Sequence, residues 1–245
     1  SAISNVNFSP AHSQYAITVS AIDQNNEPTF FTSFGSSIDV AAPGGGVNGY
    51  PQSQYLYRNT ISLDGSIGQG VGQPVDPGYL RAAGTSFAAP HVAGLAALLL
   101  SRRPELTVEQ VRQAIRLTAF PAGTPGIGTQ GWDKYTGYGR ISLDNALAIA
   151  PHSTMRINFP HDQDLSGQVS VTAWTHPSSP ELPLIGWGAW YAPENALSQK
   201  TRIGYGNVPA SGQIQFSFDA SVIPIGSYVL LMEAIDSSGA TTDDV

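Results

Sequence analysis

The stretch that most limits how this chain folds is Gly84-Thr85-Ser86-Phe87-Ala88-Ala89-Pro90-His91-Val92-Ala93-Gly94, which runs unbroken into Leu95-Ala96-Ala97-Leu98-Leu99-Leu100. It predicts a helix that is apolar on nearly every side, and such a helix belongs in a core. Ser86 stands where a glycine-led loop becomes that helix. A serine at the positive end of a helix lies beside free N–H groups that stabilise developing negative charge. Acyl transfer through a serine needs those two things, a hydroxyl to attack and backbone donors for the oxyanion. Pro90 lies past the first helical position and removes the N–H that would bond the Ser86 carbonyl. For an isolated serine before a helix, the simpler reading is an N-cap.

The string as a whole favours the nucleophile. Its eleven consecutive positions resemble, without a gap, the nucleophile motif of subtilisin-like serine proteases, the subtilases. The resemblance implies that Ser86 is the nucleophile and that its own N–H is one oxyanion donor. Gly84, Thr85, Ala89, Pro90, His91 and Gly94 are the other motif positions. His91 is not the base. At ~100° per residue, five helical steps turn it about 140° from Ser86. A packed, hydrogen-bonded helix histidine is expected there.

The 245 residues allow one large domain or two smaller ones, and 41% apolar with 12% charged residues marks a globular chain. The net charge is −7, which argues against nucleic acid and anionic membrane surfaces as partners. Residues 153–245 carry most of it, with three basic and nine acidic side chains. There is no cysteine, hence no disulfide framework or thiolate chemistry. No apolar run approaches the ~20 residues of a membrane helix. The chain opens Ser1-Ala2-Ile3, without an initiating Met or a signal peptide, so the expected N-terminus lies upstream.

Before the motif, Ala16–Ile22 reads as a buried strand, Asp23–Asn26 as a turn, and Thr29–Phe34 and Ile38–Ala42 as two short strands. The Asp-led turn, Phe-rich strand and Asp-Val-Ala-Ala-Pro-Gly exit again resemble a subtilase. In some family members the position matching Asp39 lines a weak cation site. A carboxylate bonded to nearby backbone N–H groups is the competing reading, and the favoured one. Residues 45–83 read as a long Gly/Pro-rich loop inserted beside the cleft, with Asp64 and Asp76 solvated.

After the motif, Arg102-Arg103-Pro104 ends the helix. Thr107 and Gln110 form a capping box for a second helix with an apolar face of Val108, Val111, Ile115 and Ala119. A loop at 120–139 and a Gly137-Tyr138-Gly139-Arg140-Ile141 turn lead to a short helix, Leu143–Ala150, capped by Ser142. This order is similar to the end of a subtilase catalytic domain. The resemblance spans roughly residues 10–150 and implies the later half of a doubly wound, parallel α/β sheet, over residues 1–151.

From 152 the texture changes to alternating segments: 155–159, 168–173, 185–191, 213–218 and 228–234. Their spacing predicts an all-β sandwich over 152–245, and its entry and exit segments resemble immunoglobulin-like modules of bacterial secreted enzymes. Thr241–Val245 reads as a truncated end. Trp174, Trp187, Trp190 and Tyr191 suggest a sugar platform, although core and edge packing is the stronger reading.

The family's Asp-Ser/Thr-Gly, His-Gly-Thr-His and Ala-Gly-Asn strings do not occur here. The chain therefore reads as part of a secreted or cell-surface, bacterial-type serine endopeptidase acting on proteins or peptides. It would be inert until the upstream half supplies base, Asp and oxyanion Asn. It needs no cofactor, and calcium would be structural. One alternative is an α/β-hydrolase esterase using Ser86, Asp133 and His152 or His161, but position 88 is Ala where Gly-x-Ser-x-Gly requires Gly. Another is a non-catalytic, degenerate protease fold whose sandwich binds a protein or glycan partner.

Overall fold

Two short runs of small and β-branched residues, β1 (Val19–Ile22) and β2 (Val40–Pro43), pair in parallel with Val19 opposite Val40. Both are buried, which explains their lack of polar alternation. The computed structural model describes residues 10, 11, 13, 15–46, 60–63, 73–76, 78–122, 131–149, 152–159 and 164–245. Helix α1 (Thr85–Arg102) packs on this strand pair through one stripe, Ala88, Val92, Leu95 and Leu99. Ala96 and Phe87 are half-buried beside it, and much of the remaining surface is open. Ala89, Ala93, Gly94 and Ala97 are exposed, and Leu98 and Leu100 are 45% and 41% exposed. The expectation of a helix buried on every side is thus corrected: composition sets which faces are apolar, not which are covered.

The Phe-rich segment 29–34 is irregular rather than a strand. The Thr32 hydroxyl takes the Ala21 N–H (2.9 Å), and Thr32 N–H closes a turn on Thr29. Nor is 45–83 all loop. Strands β3 (Thr60–Leu63), β4 (Gln73–Asp76) and β5 (Tyr79–Ala82) form a small antiparallel sheet in the order β3-β5-β4. Asp76 therefore ends a strand, while Asp64 lies outside the described residues.

Helix α2 (Val108–Leu117) starts at a complete capping box, with Thr107 Oγ1 accepting from Gln110 N–H and Gln110 Oε1 from Thr107 N–H. Val111, Ala114 and Ile115 are buried, as the apolar pattern requires, but Val108 is exposed. Arg112, Gln113 and Arg116, on the polar face, are buried as well. Helix α3 (Leu143–Ala148) is capped by Ser142, and the Arg103 guanidinium reaches its C-terminal carbonyls at Ile149 (2.5 Å) and Ala146. Between α2 and α3 the chain runs beside β2, with Ala41 N–H bonded to the Gly139 carbonyl and Ile141 N–H to the Ala41 carbonyl. Both flanking glycines have positive φ. A Cβ at Gly137 would overlap the Asp39 carbonyl, and one at Gly139 the Phe120 carbonyl.

The remaining strands are β6 (Thr154–Phe159), β7 (Gln168–His176), β8 (Leu184–Pro193), β9 (Thr201–Asn207), β10 (Gln213–Asp219), β11 (Tyr228–Asp236) and β12 (Thr241–Asp244). They form two antiparallel sheets, β10-β7-β6 and β12-β11-β8-β9. Met155, Ile157, Val171, Ala173 and Ile214 of one sheet meet Leu184, Ala189, Met232 and Ala234 of the other. Strand β9 has no apolar alternation because two of its inward positions are glycines. Cβ atoms at Gly204 and Gly206 would press on Phe216 and Trp187 at 3.0 Å, so those rings fill the space instead. Strand β12 is acidic and polar for a different reason, found at the junction.

There the outward faces of β8 and β11 supply Ala192, Val229 and Leu231 to the same apolar cluster as Trp132, Tyr138 and α1. Alongside it lies a buried polar cluster. Arg116 joins Asp39 (Nε–Oδ1, 2.8 Å) to Asp244 (2.6 Å), and Asp244 also accepts the Ile157 N–H (2.7 Å). Gln113 bonds Thr242, and Arg156 pairs with Glu109. The polar face of α2 is therefore an internal seam.

Candidate active site

The Ser86 site is built on the exit from β2. Gly84 N–H donates to the Gly44 carbonyl (2.8 Å), and Phe87 N–H returns to the Gly84 carbonyl (3.0 Å). That turn fixes where α1 begins. Gly84 is the N-cap residue and the cap has no side-chain hydrogen bond, so Ser86 sits inside the first turn and is not the cap. Its side chain is exposed, and among the described residues neither its hydroxyl nor its N–H has a hydrogen-bond partner. A Cβ on Gly84 would lie 3.1 Å from Ser86 Oγ, so the glycine keeps the space beside the hydroxyl clear. Pro90 leaves the Ser86 carbonyl without its helical donor. The arrangement offers a free hydroxyl and a free N–H at the positive end of an 18-residue helix.

The other motif positions fall in place along the same helix. Thr85 opens it, and Ala89, Pro90 and Gly94 lie on its exposed side. His91 is hydrogen-bonded, its Nδ1 lying 2.8 Å from the Phe87 carbonyl one turn back, but it is exposed rather than packed. It makes no bond to Ser86. His12 and His161 lie outside the described residues. Asp133, the acid of the esterase alternative, is spent on its own turn, accepting from Tyr135 N–H, Thr136 N–H and the Thr136 hydroxyl. Burial raises its pKa, and those donors oppose the rise.

Asp39 is wholly buried, and its carboxylate is fully engaged. Oδ1 accepts from Arg112 Nε and Arg116 Nε, both at 2.8 Å, and Oδ2 accepts the Thr18 N–H at 2.7 Å. Burial alone would raise its pKa; the two guanidinium groups and the N–H outweigh burial and hold it below the ordinary value. The backbone bond of the favoured reading is present, and two arginines supply positive charge at the same carboxylate. Among the described residues no group of three His, Cys, Asp or Glu side chains is placed to hold a metal. The arginines escaped sequence reasoning, although their i, i+4 spacing on α2 and the Asp243-Asp244 pair were the available signals.

The four aromatic residues of the suggested sugar platform do not share a surface. Trp187 faces inward against Phe216 (4.9 Å between ring centres), Tyr191 meets Tyr228, Trp190 faces outward from β8, and Trp174 belongs to the other sheet.

Comparison with known proteins gives a match to the Peptidase S8 family model, described as the subtilase family, over residues 4–139. The thermostable alkaline protease of Halalkalibacterium halodurans is 37% identical over 122 residues, covering 50% of this chain and 27% of that protein. The extracellular serine protease of Serratia marcescens is 34% identical over 166 residues, 66% of this chain and 15% of that protein. Mycosin-4 of Mycobacterium tuberculosis is 37% identical over 146 residues, 58% and 28%. The chain thus spans less than a third of each of these relatives. Among solved structures, a protease from Pseudoalteromonas arctica shares 28% identity over 60% of this chain and 39% of its own, with a TM-score of 0.47. Fervidolysin from Fervidobacterium pennivorans shares 22% over 92% and 30%, with a TM-score of 0.45. Since the family match covers more than half of the 245 residues and includes the whole Gly84–Gly94 string, this chain belongs to the subtilase family of serine proteases.

Proposed function

We propose that this chain is the serine-bearing part of a subtilisin-like endopeptidase, with Ser86 as nucleophile. The observation that carries the reading is the free Ser86 hydroxyl and N–H at the start of α1, inside a complete nucleophile motif. Ser86 Oγ attacks the carbonyl carbon of the scissile peptide bond, its proton passes to a base, and the oxyanion takes the Ser86 N–H. The base returns the proton to the leaving amine, and water then hydrolyses the acyl-enzyme. In this reading the base, its orienting Asp and a side-chain oxyanion donor come from sequence upstream of residue 1. The exposed apolar side of α1 around Leu98 supports it, as surface on which that upstream part packs. The substrates are proteins or peptides, and no cofactor takes part. Residues 152–245 form an immunoglobulin-like module, a reading supported by seven antiparallel strands in two facing sheets. Secretion is supported by the Serratia relative, which is an extracellular serine protease. Among the described residues no helix is long and apolar enough to cross a membrane.

The test adds an upstream segment carrying the Asp and His motifs to residues 1–245 and assays casein and labelling by a serine-directed phosphonate. Activity and labelling are expected only in the combined protein. Ser86→Ala should abolish both, with a loss of several orders of magnitude in rate. Peptidase activity that survives Ser86→Ala would overturn the assignment.

A further inference from the structure

Strand β8 carries glycine at two successive outward positions, Gly186 and Gly188, in the middle of the four-stranded sheet. Their outward neighbours are Tyr205 and Asn207 on β9, and Glu233 and Ile235 on β11. The place left by Gly186, between the walls of β9 and β11, belongs to a furrow of about 590 Å³, within the size range of ligand sites. The Trp190 indole lies over Gly188, where a Cβ would collide with it, and so lines one end of the furrow. Tyr205 stands on one wall and is 73% exposed.

The charges around this furrow are unusual for its surroundings. Residues 153–245 have three basic side chains against nine acidic ones. Arg156 is used at the junction with Glu109. The other two, Lys200 and Arg202, both come to the furrow. Lys200 Nζ lies 4.8 Å from the Trp190 ring centre and 3.6 Å from Glu233. Arg202 lies 4.9 Å from the Tyr205 ring centre, and among the described residues it has no carboxylate partner. An exposed guanidinium over an exposed phenol ring, with no carboxylate partner among the described residues, presents a fork for a carboxylate beside an apolar ring face.

We propose that this furrow binds an acidic glycan, a chain of uronic-acid sugars. The C–H face of a pyranose ring stacks on Tyr205, its carboxylate takes the Arg202 fork, and Asn207 and Glu233 reach ring hydroxyls. Sugar and carboxylate are both needed to explain the furrow. A neutral glycan leaves Arg202 unused, and an acidic peptide leaves the glycine floor and stacked ring unused. The inference is independent of the peptidase reading, because no residue of the Ser86 site takes part.

The experiment is calorimetric titration of the 245-residue chain with a short oligogalacturonate, its methyl-esterified neutral form, and an oligoglutamate peptide. Oligogalacturonate should bind more tightly than either control, although the net charge of −7 repels polyanions in general. Tyr205→Ala should weaken binding about tenfold, the scale of losing one well-placed anchor. Arg202→Gln should weaken the acidic form similarly and leave the methyl ester unchanged. Both side chains are exposed, so neither change threatens the fold. Absence of binding, equal binding of oligoglutamate, or indifference to both substitutions would overturn the proposal.

Discussion

Replacing Arg116 with Met tests how the two parts of the chain are joined. Met keeps much of the aliphatic volume and removes the charge. In the structure Arg116 serves two buried carboxylates, Asp39 at 2.8 Å and Asp244 at 2.6 Å. After the substitution Asp39 still has Arg112 Nε at 2.8 Å and Thr18 N–H at 2.7 Å. Among the described residues Asp244 keeps the Ile157 N–H at 2.7 Å and loses its ion pair, with Arg156 acting on it only at longer range. Each pair is worth ~4 kcal/mol of attraction at 4 Å and an effective dielectric of 20, before desolvation is subtracted. The intact cluster contributes little net, but removing one partner from a buried pair costs about 3–5 kcal/mol. Arg116→Met should therefore destabilise by about that amount in urea unfolding, followed by the fluorescence of Trp132 on one side of the seam and Trp187 on the other. The cost arises from an orphaned charge, so adding Asp244→Asn should restore part of it, a coupling that a double-mutant cycle reads directly. A cost below about 1 kcal/mol, the range of exposed ion pairs, would refute the argument. So would an Asp244→Asn change that adds to the loss.

Two more outcomes follow from the geometry. Gly84→Ala should lower peptidase activity of the combined protein far more than it lowers stability, because the new methyl lies 3.1 Å from Ser86 Oγ; unchanged activity, measured on casein, would contradict the crowding argument. A protease site placed at 150–151 and cut should leave the two pieces joined at neutral pH, as gel filtration would show. Asp39 has a folded pKa below its ordinary 3.8, so its contribution is fully present above 3.8 and is lost as pH falls through the depressed value. Asp39, Arg112 and Arg116 all belong to the first piece, so acid in that range should lower that piece's own stability, read by its unfolding, while separation of the pieces at pH 7 would refute the seam.

The sequence by itself determined the local pieces. Spacing and caps placed α1 with its stop at Arg102, α2 with its Thr107–Gln110 box, and α3 behind Ser142, because helix signals lie within a few residues of each other. The Gly84–Gly94 string named the candidate nucleophile for the same reason, since a serine at a helix start is a local arrangement. Alternating strands such as β7 were legible because one face is buried and the other is wet. Tertiary structure decided what covers each face. It left the outer side of α1 open and turned the polar face of α2 inward, because Asp39 and Asp244 arrive from positions 77 and 128 residues distant to meet Arg116. Strands β9 and β12 were illegible for the same physical reason. Gly204 and Gly206 make sense only once Trp187 and Phe216 fill their places, and Asp244 only once Arg116 stands opposite. Burial of a charge or absence of a side chain depends on a partner far along the chain, and that partner is fixed by the fold.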